Sequence, residues 1–134
     1  LIAENKKNNR ICEYKNQQAV WLASLLWWMN KKNENAIKNA YPKEKLDKAW
    51  KLLFLNQFHD ILLGSAIDEV YEQSDLDYAK IKAMDEEIIS EALESLSSNN
   101  SEKKNGICAW NPLGLAAEQV IELDKKKQQE CGID

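Results

Sequence analysis

His59, the one histidine of the chain, is followed directly by Asp60 inside NQFHDILLGSAID, residues 56 to 68. A neutral imidazole is a common zinc ligand, and zinc takes three or four protein ligands in a tetrahedral arrangement. The chain has no second histidine to extend such a set. Because the side chains of adjacent residues diverge, His59 can face a site while Asp60 reaches a different group nearby. The pair also has a purely structural reading. His59 would then meet the last carbonyls and the negative dipole end of a helix, and Asp60 would cap the turn. Residue types alone leave both readings open.

Other chemistries find less support. Cys12, Cys108 and Cys131 lack the C-x-x-C spacing of zinc ribbons and redox sites, and His59 is the one possible histidine base, with nothing in the sequence that positions a cysteine beside it. They read as reduced thiols of a cytoplasmic protein. Four glycines in the whole chain leave no Gly-rich phosphate loop. The net charge of -4 arises from 22 acidic and 18 basic side chains, with the lysines scattered among acids, so no basic stripe points to nucleic acid. The runs EKK and DKKK read as solvated surface. AVWLASLLWWM, residues 19 to 29, is about half the length a bilayer requires and reads as a core helix, so no membrane partner is expected. LIAENKKNNRICEYK lacks the apolar block of a signal peptide.

The elements that must position His59 and Asp60 follow from apolar periodicity. Residues 1 to 9 are polar and read as a loose lead-in. From about Arg10 to Met29, Ile11, Tyr14, Trp21, Leu22, Leu25, Trp28 and Met29 recur at three- and four-residue spacing, which predicts a first helix. Trp27 and Trp28 lie roughly 100° apart on such a helix, so one of them seeks a surface beyond the bundle. NKKNENAIKNAYP is a polar connection with a short helical turn, closed by Pro42 at the first position of a second helix. That helix runs to Phe58, with Leu46, Ala49, Trp50, Leu53, Phe54 and Gln57 on one face, and His59 falls at its end. Gly64 interrupts the pattern. Ser65 and Asp68 have the spacing of a capping box that starts a third helix, whose apolar period runs from Ile67 to about Leu96.

SSNNSEKKNG ends the helical region. ICAWNPLG is then a short apolar run cut by proline, and QVIELD alternates as a half-buried strand does. The expected fold is all-α, an up-down-up three-helix bundle over residues 1–105, with one or two β-strand fragments in residues 106–134. Two strand fragments cannot form a stable sheet alone. At 134 residues, opening on Leu1 and closing in GID, the chain reads as one fold unit excised from something longer.

YPKEKLDKAWKLLFL followed by NQFHDILLGSAIDEVYE closely resembles the signature of the middle domain of glycoside hydrolase family 38 alpha-mannosidases, in the cytosolic and bacterial branch. The likeness extends to the first helix, the long third helix and the N-P-L segment that opens a C-terminal β region. The resemblance implies a retaining exo-mannosidase. An N-terminal catalytic domain would supply the aspartate nucleophile, the acid/base and three zinc ligands, and the histidine of the F-H-D motif, here His59, would be the fourth. Asp60 would contact the hydroxyls of the alpha-mannoside substrate. Two carboxylates roughly 5 Å apart perform the double displacement in such enzymes, and the metal clamps sugar oxygens. Neither carboxylate is expected in this chain, so the isolated piece should be inactive, with the catalytic and C-terminal β domains of the same enzyme as its partners. Leu63 stands where the family pattern has proline, which removes a fixed φ from the turn. The competing expectation is a non-enzymatic helical module that binds a partner through the Trp27/Trp28 surface.

Overall fold

A computed structural model of the chain describes residues 2–32, 40–98, 109–112, 114–116, 118 and 120. The described residues are helical up to residue 98, in the order α1 (Ile2–Lys32), α2 (Lys43–Asn56), α3 (His59–Leu63) and α4 (Asp68–Ser98). Residues Leu1–Ser95 make one compact unit and Leu96–Asp134 a second. No strand occurs among the described residues: 109–112 of ICAWNPLG are irregular, and QVIELD lies outside them except for Val120. The short turn expected in NKKNENAIKNAYP and the expected boundary at 105/106 also lie outside them. Among the described residues, no helix is long and apolar enough to cross a membrane.

The contacts between helices fix the topology. Lys15 pairs with Glu86, and the Lys82 ammonium donates to Asn8 at 2.8 Å, so α1 and α4 run in the same direction. Lys45 near the start of α2 pairs with Glu87, whereas Gln57 just past its end bonds Asn9, so α2 runs the opposite way. The up-down-up arrangement is therefore present, with α3 as an additional short element.

Three seams of alternating three- and four-residue steps meet in the interior. α1 buries Asn5, Asn9, Cys12, Asn16, Ala19, Ala23 and Leu26; α2 buries Leu46, Ala49, Leu53 and Asn56. α4 buries Tyr71, Ser74, Tyr78, Ile81, Asp85, Ile88 and Ala92. This is the near-parallel packing pattern of coiled coils and bundles. Cys12, Ala49, Leu53, Tyr78 and Ile81 form one apolar cluster, and Ala19, Ala23, Leu46 and Ile88 form another.

The α1 seam differs from the expected stripe. Of the seven residues expected to face inward, Leu22 is buried, whereas Tyr14 and Trp28 are exposed. Small side chains occupy the seam instead, which lets the helices approach, and the larger ones flank it. Residues 2–9 are helical, not loose. Asn is a modest helix former, but here the buried amides of Asn5 and Asn9 find tertiary partners on Tyr78 and on the 57–61 segment, and those bonds offset the weak local preference.

On α2, Pro42 occupies the N-cap, one residue before the expected position. Phe54 is exposed and stacks on Trp50 at 5.3 Å between ring centroids. Ile67 is exposed as well, so the inward face of α4 begins at Tyr71. Between the two apolar clusters, Asn16 and Asp85 are completely buried, and their side-chain polar atoms have no hydrogen-bond partner among the described residues. Burial raises the Asp85 carboxyl to about 7 against the opposing pull of Lys15, so the neutral acid is the form that the interior favours.

Candidate functional site

The corner that carries the histidine is made of α3 and its two flanking turns. At the end of α2, the backbone N–H of Gln57 donates to Leu53 O at 3.1 Å, and that of Phe58 to Leu55 O at 3.2 Å. Phe58 is extended at φ -55°, ψ 141°, which stops α2, and its carbonyl then accepts from the N–H groups of Ile61 and Leu62 at 3.0 Å to start α3. Gly64 ends α3 in the left-handed conformation at φ 96°, a position that penalises any Cβ. Space imposes the same choice: a Cβ there would stand 2.6 Å from Ile2 Cδ1.

His59 is the first residue of α3 rather than the last of α2, and its side chain is 70% exposed. Its ring lies against Phe58, with centroids 4.2 Å apart and planes tilted by 43°. The expected divergence of the His59 and Asp60 side chains is not observed. His59 Nε2 stands 3.5 Å from Asp60 Oδ1, and the Asp60 side chain is 55% exposed. Ser65 does not form a capping box with Asp68. Its hydroxyl donates back to Asp60, at 3.2 Å to Oδ1 and 3.4 Å to the main-chain carbonyl. The backbone N–H of Ser65 donates to the same carbonyl at 3.0 Å, so the serine holds Asp60 in place rather than starting α4.

Behind the corner is a chain of buried polar groups that periodicity does not single out. Tyr78 Oη donates to Asn5 Oδ1 at 2.7 Å and accepts from Asn9 Nδ2 at 3.2 Å. Asn9 Oδ1 accepts from Gln57 Nε2 at 3.2 Å. The Asn5 amide and the Tyr71 hydroxyl both donate to the Ile61 carbonyl, each at 3.4 Å. Burial pushes the Tyr78 phenol above its ordinary value, which keeps its proton in place as a donor. One signal for these residues exists in the sequence: the steps from Asn5 to Asn9 to Cys12 continue the α1 seam through polar side chains.

The remaining candidates are inert or incomplete. Cys12 is buried, donates to Tyr78 O at 3.7 Å, and is raised by burial to about 11, which makes it a poor nucleophile. Cys108 and Cys131 lie outside the described residues. Trp27 and Trp28 are both half-exposed and line an open apolar cleft with Ser24 and Tyr41. Among the described residues, no group of three or more His, Cys, Asp or Glu side chains could hold a metal ion. The exposed His59 imidazole has the donor chemistry for one position on a zinc ion, and a full set of ligands would have to draw on groups outside the described residues.

The chain matches the family described as alpha mannosidase middle domain over residues 2–96. It is 32% identical over 123 residues to Alpha-mannosidase 2C1 of Mus musculus and 31% identical over the same length to Alpha-mannosidase 2C1 of Homo sapiens. Each alignment covers 92% of this chain and 11% of the relative, so the chain spans about a tenth of the length of these curated relatives. The match takes in all four helices up to residue 96, the His59 corner among them, and the chain belongs to the alpha mannosidase middle domain family.

Proposed function

We propose that this chain is the middle domain of a zinc-dependent retaining alpha-mannosidase, to which it contributes one metal ligand, His59, and one substrate contact, Asp60. The observation that carries the reading is the exposure of both side chains on a corner whose backbone is tied down by hydrogen bonds before and after them. Leu55, Phe58 and Leu63, within four residues of the pair, are exposed apolar side chains, as suits a surface that another part of the protein covers.

His59 offers a neutral imidazole lone pair, and Asp60 offers carboxylate oxygens that accept hydrogen bonds from sugar hydroxyls. When bound, zinc would supply a Lewis acid that clamps sugar oxygens. The nucleophile and the acid/base of the double displacement belong to the catalytic domain, so the 134-residue chain alone is inactive. Residues 106–134 belong to the start of the β domain, and the enzyme works in the cytoplasm, where Cys12 stays reduced.

In the whole enzyme, His59→Ala is expected to abolish both zinc retention and turnover of an aryl alpha-mannoside. Full retention of both by that variant defeats the reading. Turnover by the isolated chain defeats the claim that it is inactive. The cleft at Trp27 and Trp28 suits a second reading, a stand-alone interaction module. The length of the reading frame separates the two, since a frame of domain size favours the module and several hundred further residues favour the enzyme.

A further inference from the structure

We infer that Asn5, Asn9 and Tyr78 are positioning residues for the His59–Asp60 pair, acting on the corner through Gln57 and the Ile61 carbonyl; the inference rests on the zinc-ligand reading of His59. The corner is gripped from the same side at three successive points. Asn9 accepts from Gln57 two residues before His59, Asn5 and Tyr71 donate to Ile61 two residues after it, and Ile2 abuts Gly64 at the end of α3. The first and second grips share one hub, because the Tyr78 hydroxyl bonds Asn5 and Asn9 together.

The hub residues are nearly fully buried, at 4%, 6% and 1% exposure for Asn5, Asn9 and Tyr78. The His59 and Asp60 side chains that they serve are not. A small hydrogen-bonded interior thus fixes a backbone segment whose own side chains point to solvent. A histidine that meets a metal across a domain boundary needs its backbone held to a fraction of an ångström. Groups that orient a ligating histidine typically contribute about 10- to 100-fold to metal affinity. These groups act through the main chain and not on the ring, so the lower end of that range applies.

The test uses the full-length enzyme loaded with zinc and reads the half-time of metal release into a chelator, the KM and kcat for an aryl alpha-mannoside, and the melting temperature. Tyr78→Phe removes only the hub hydroxyl. Gln57→Met removes only the first grip, at a half-buried side chain that can change without threatening the fold. Both are expected to shorten zinc retention about tenfold and to raise KM. Ile88→Val, in the cluster away from the corner, is expected to lower the melting temperature without moving either quantity. If Tyr78→Phe fails to fold, Gln57→Met alone decides. Clamp variants that hold zinc as long as the unmodified enzyme, while His59→Ala loses it, overturn the positioning role and leave the zinc reading intact. If His59→Ala also holds zinc, both fall together.

Discussion

The two ends of the Leu1–Ser95 bundle share the same three-four seams and hold an apolar cluster each, but only the His59 end adds a buried hydrogen-bonded network. At the end away from His59, the seams carry Ala19, Ala23, Leu46 and Ile88, and cohesion comes from the removal of apolar surface from water. That force has no direction, and it tolerates small shifts of one helix along another. At the His59 end a second apolar cluster, with Cys12, Leu53 and Ile81, is joined by Asn5, Asn9 and Tyr78, whose hydrogen bonds have fixed lengths and angles. Directional bonds contribute less net stability per group than burial does, but they specify one arrangement. The apolar end keeps the bundle together, and the polar end sets where the corner sits.

Asp85 and Asn16 lie between the two apolar clusters, and the largest expected effect comes from titrating Asp85. The Asp85 carboxyl, near 3.8 in the unfolded chain, is raised to about 7 by burial, with Lys15 (itself paired to Glu86) pulling it down from α1. Cys12 of α1 also lies within its electrostatic reach. Below pH 4, both folded and unfolded states hold the proton and its full stabilisation is present. Between pH 4 and 7 the unfolded chain releases the proton first, so stability falls as pH rises, and above 7 the loss is complete. The shift from 3.8 to about 7 sets a ceiling of about 4 kcal/mol on that loss. Urea unfolding of the chain at pH 4.5 and pH 8 measures it. Asp85→Asn should flatten the dependence and raise stability at pH 8, and an unchanged slope in that variant would assign the titration elsewhere.

The next largest effect sharpens the contrast between the ends. Ile88→Ala opens a cavity in the apolar cluster and should destabilise by about 3 kcal/mol, without altering the zinc retention proposed for the whole enzyme. A smaller effect breaks the contrast from the corner side. Gly64→Ala forces a Cβ into a left-handed backbone and against Ile2, and should cost about 1 to 2 kcal/mol in urea melts. Its mark should be greater on zinc retention than on stability, the reverse of Ile88→Ala.

The sequence made some of this legible and hid the rest for identifiable reasons. α2 and α4 were readable because Leu46, Ala49 and Leu53, and then Tyr71 through Ala92, keep an apolar period that burial confirms. The first eight residues of α1 were not, because asparagine is a weak helix former, the stretch carries no apolar period, and the partners of Asn5 and Asn9 lie 48 to 73 residues away in sequence. The short α3 was hidden by its length, since HDILL spans too few residues to show a period. Ser65 misled because a serine after a glycine reads as a cap, whereas its hydroxyl bonds backwards to Asp60. His59 and Asp60 stood out by residue type, and the role proposed for them rests on the surrounding motif. The clamp behind them left only the spacing of Asn5, Asn9 and Cys12 as a trace, because a buried asparagine on a helix seam looks like solvent-facing polarity until its partner is seen.

Ile2 fills the space opposite Gly64, and Asn5 and Asn9 follow on the next turns of α1. The smallest portable unit that could be grafted into another member of the alpha mannosidase middle domain family therefore cannot be trimmed to Arg10, where the apolar period begins. Such a graft would carry both apolar clusters intact and would lose all of its grips on the corner except Tyr71.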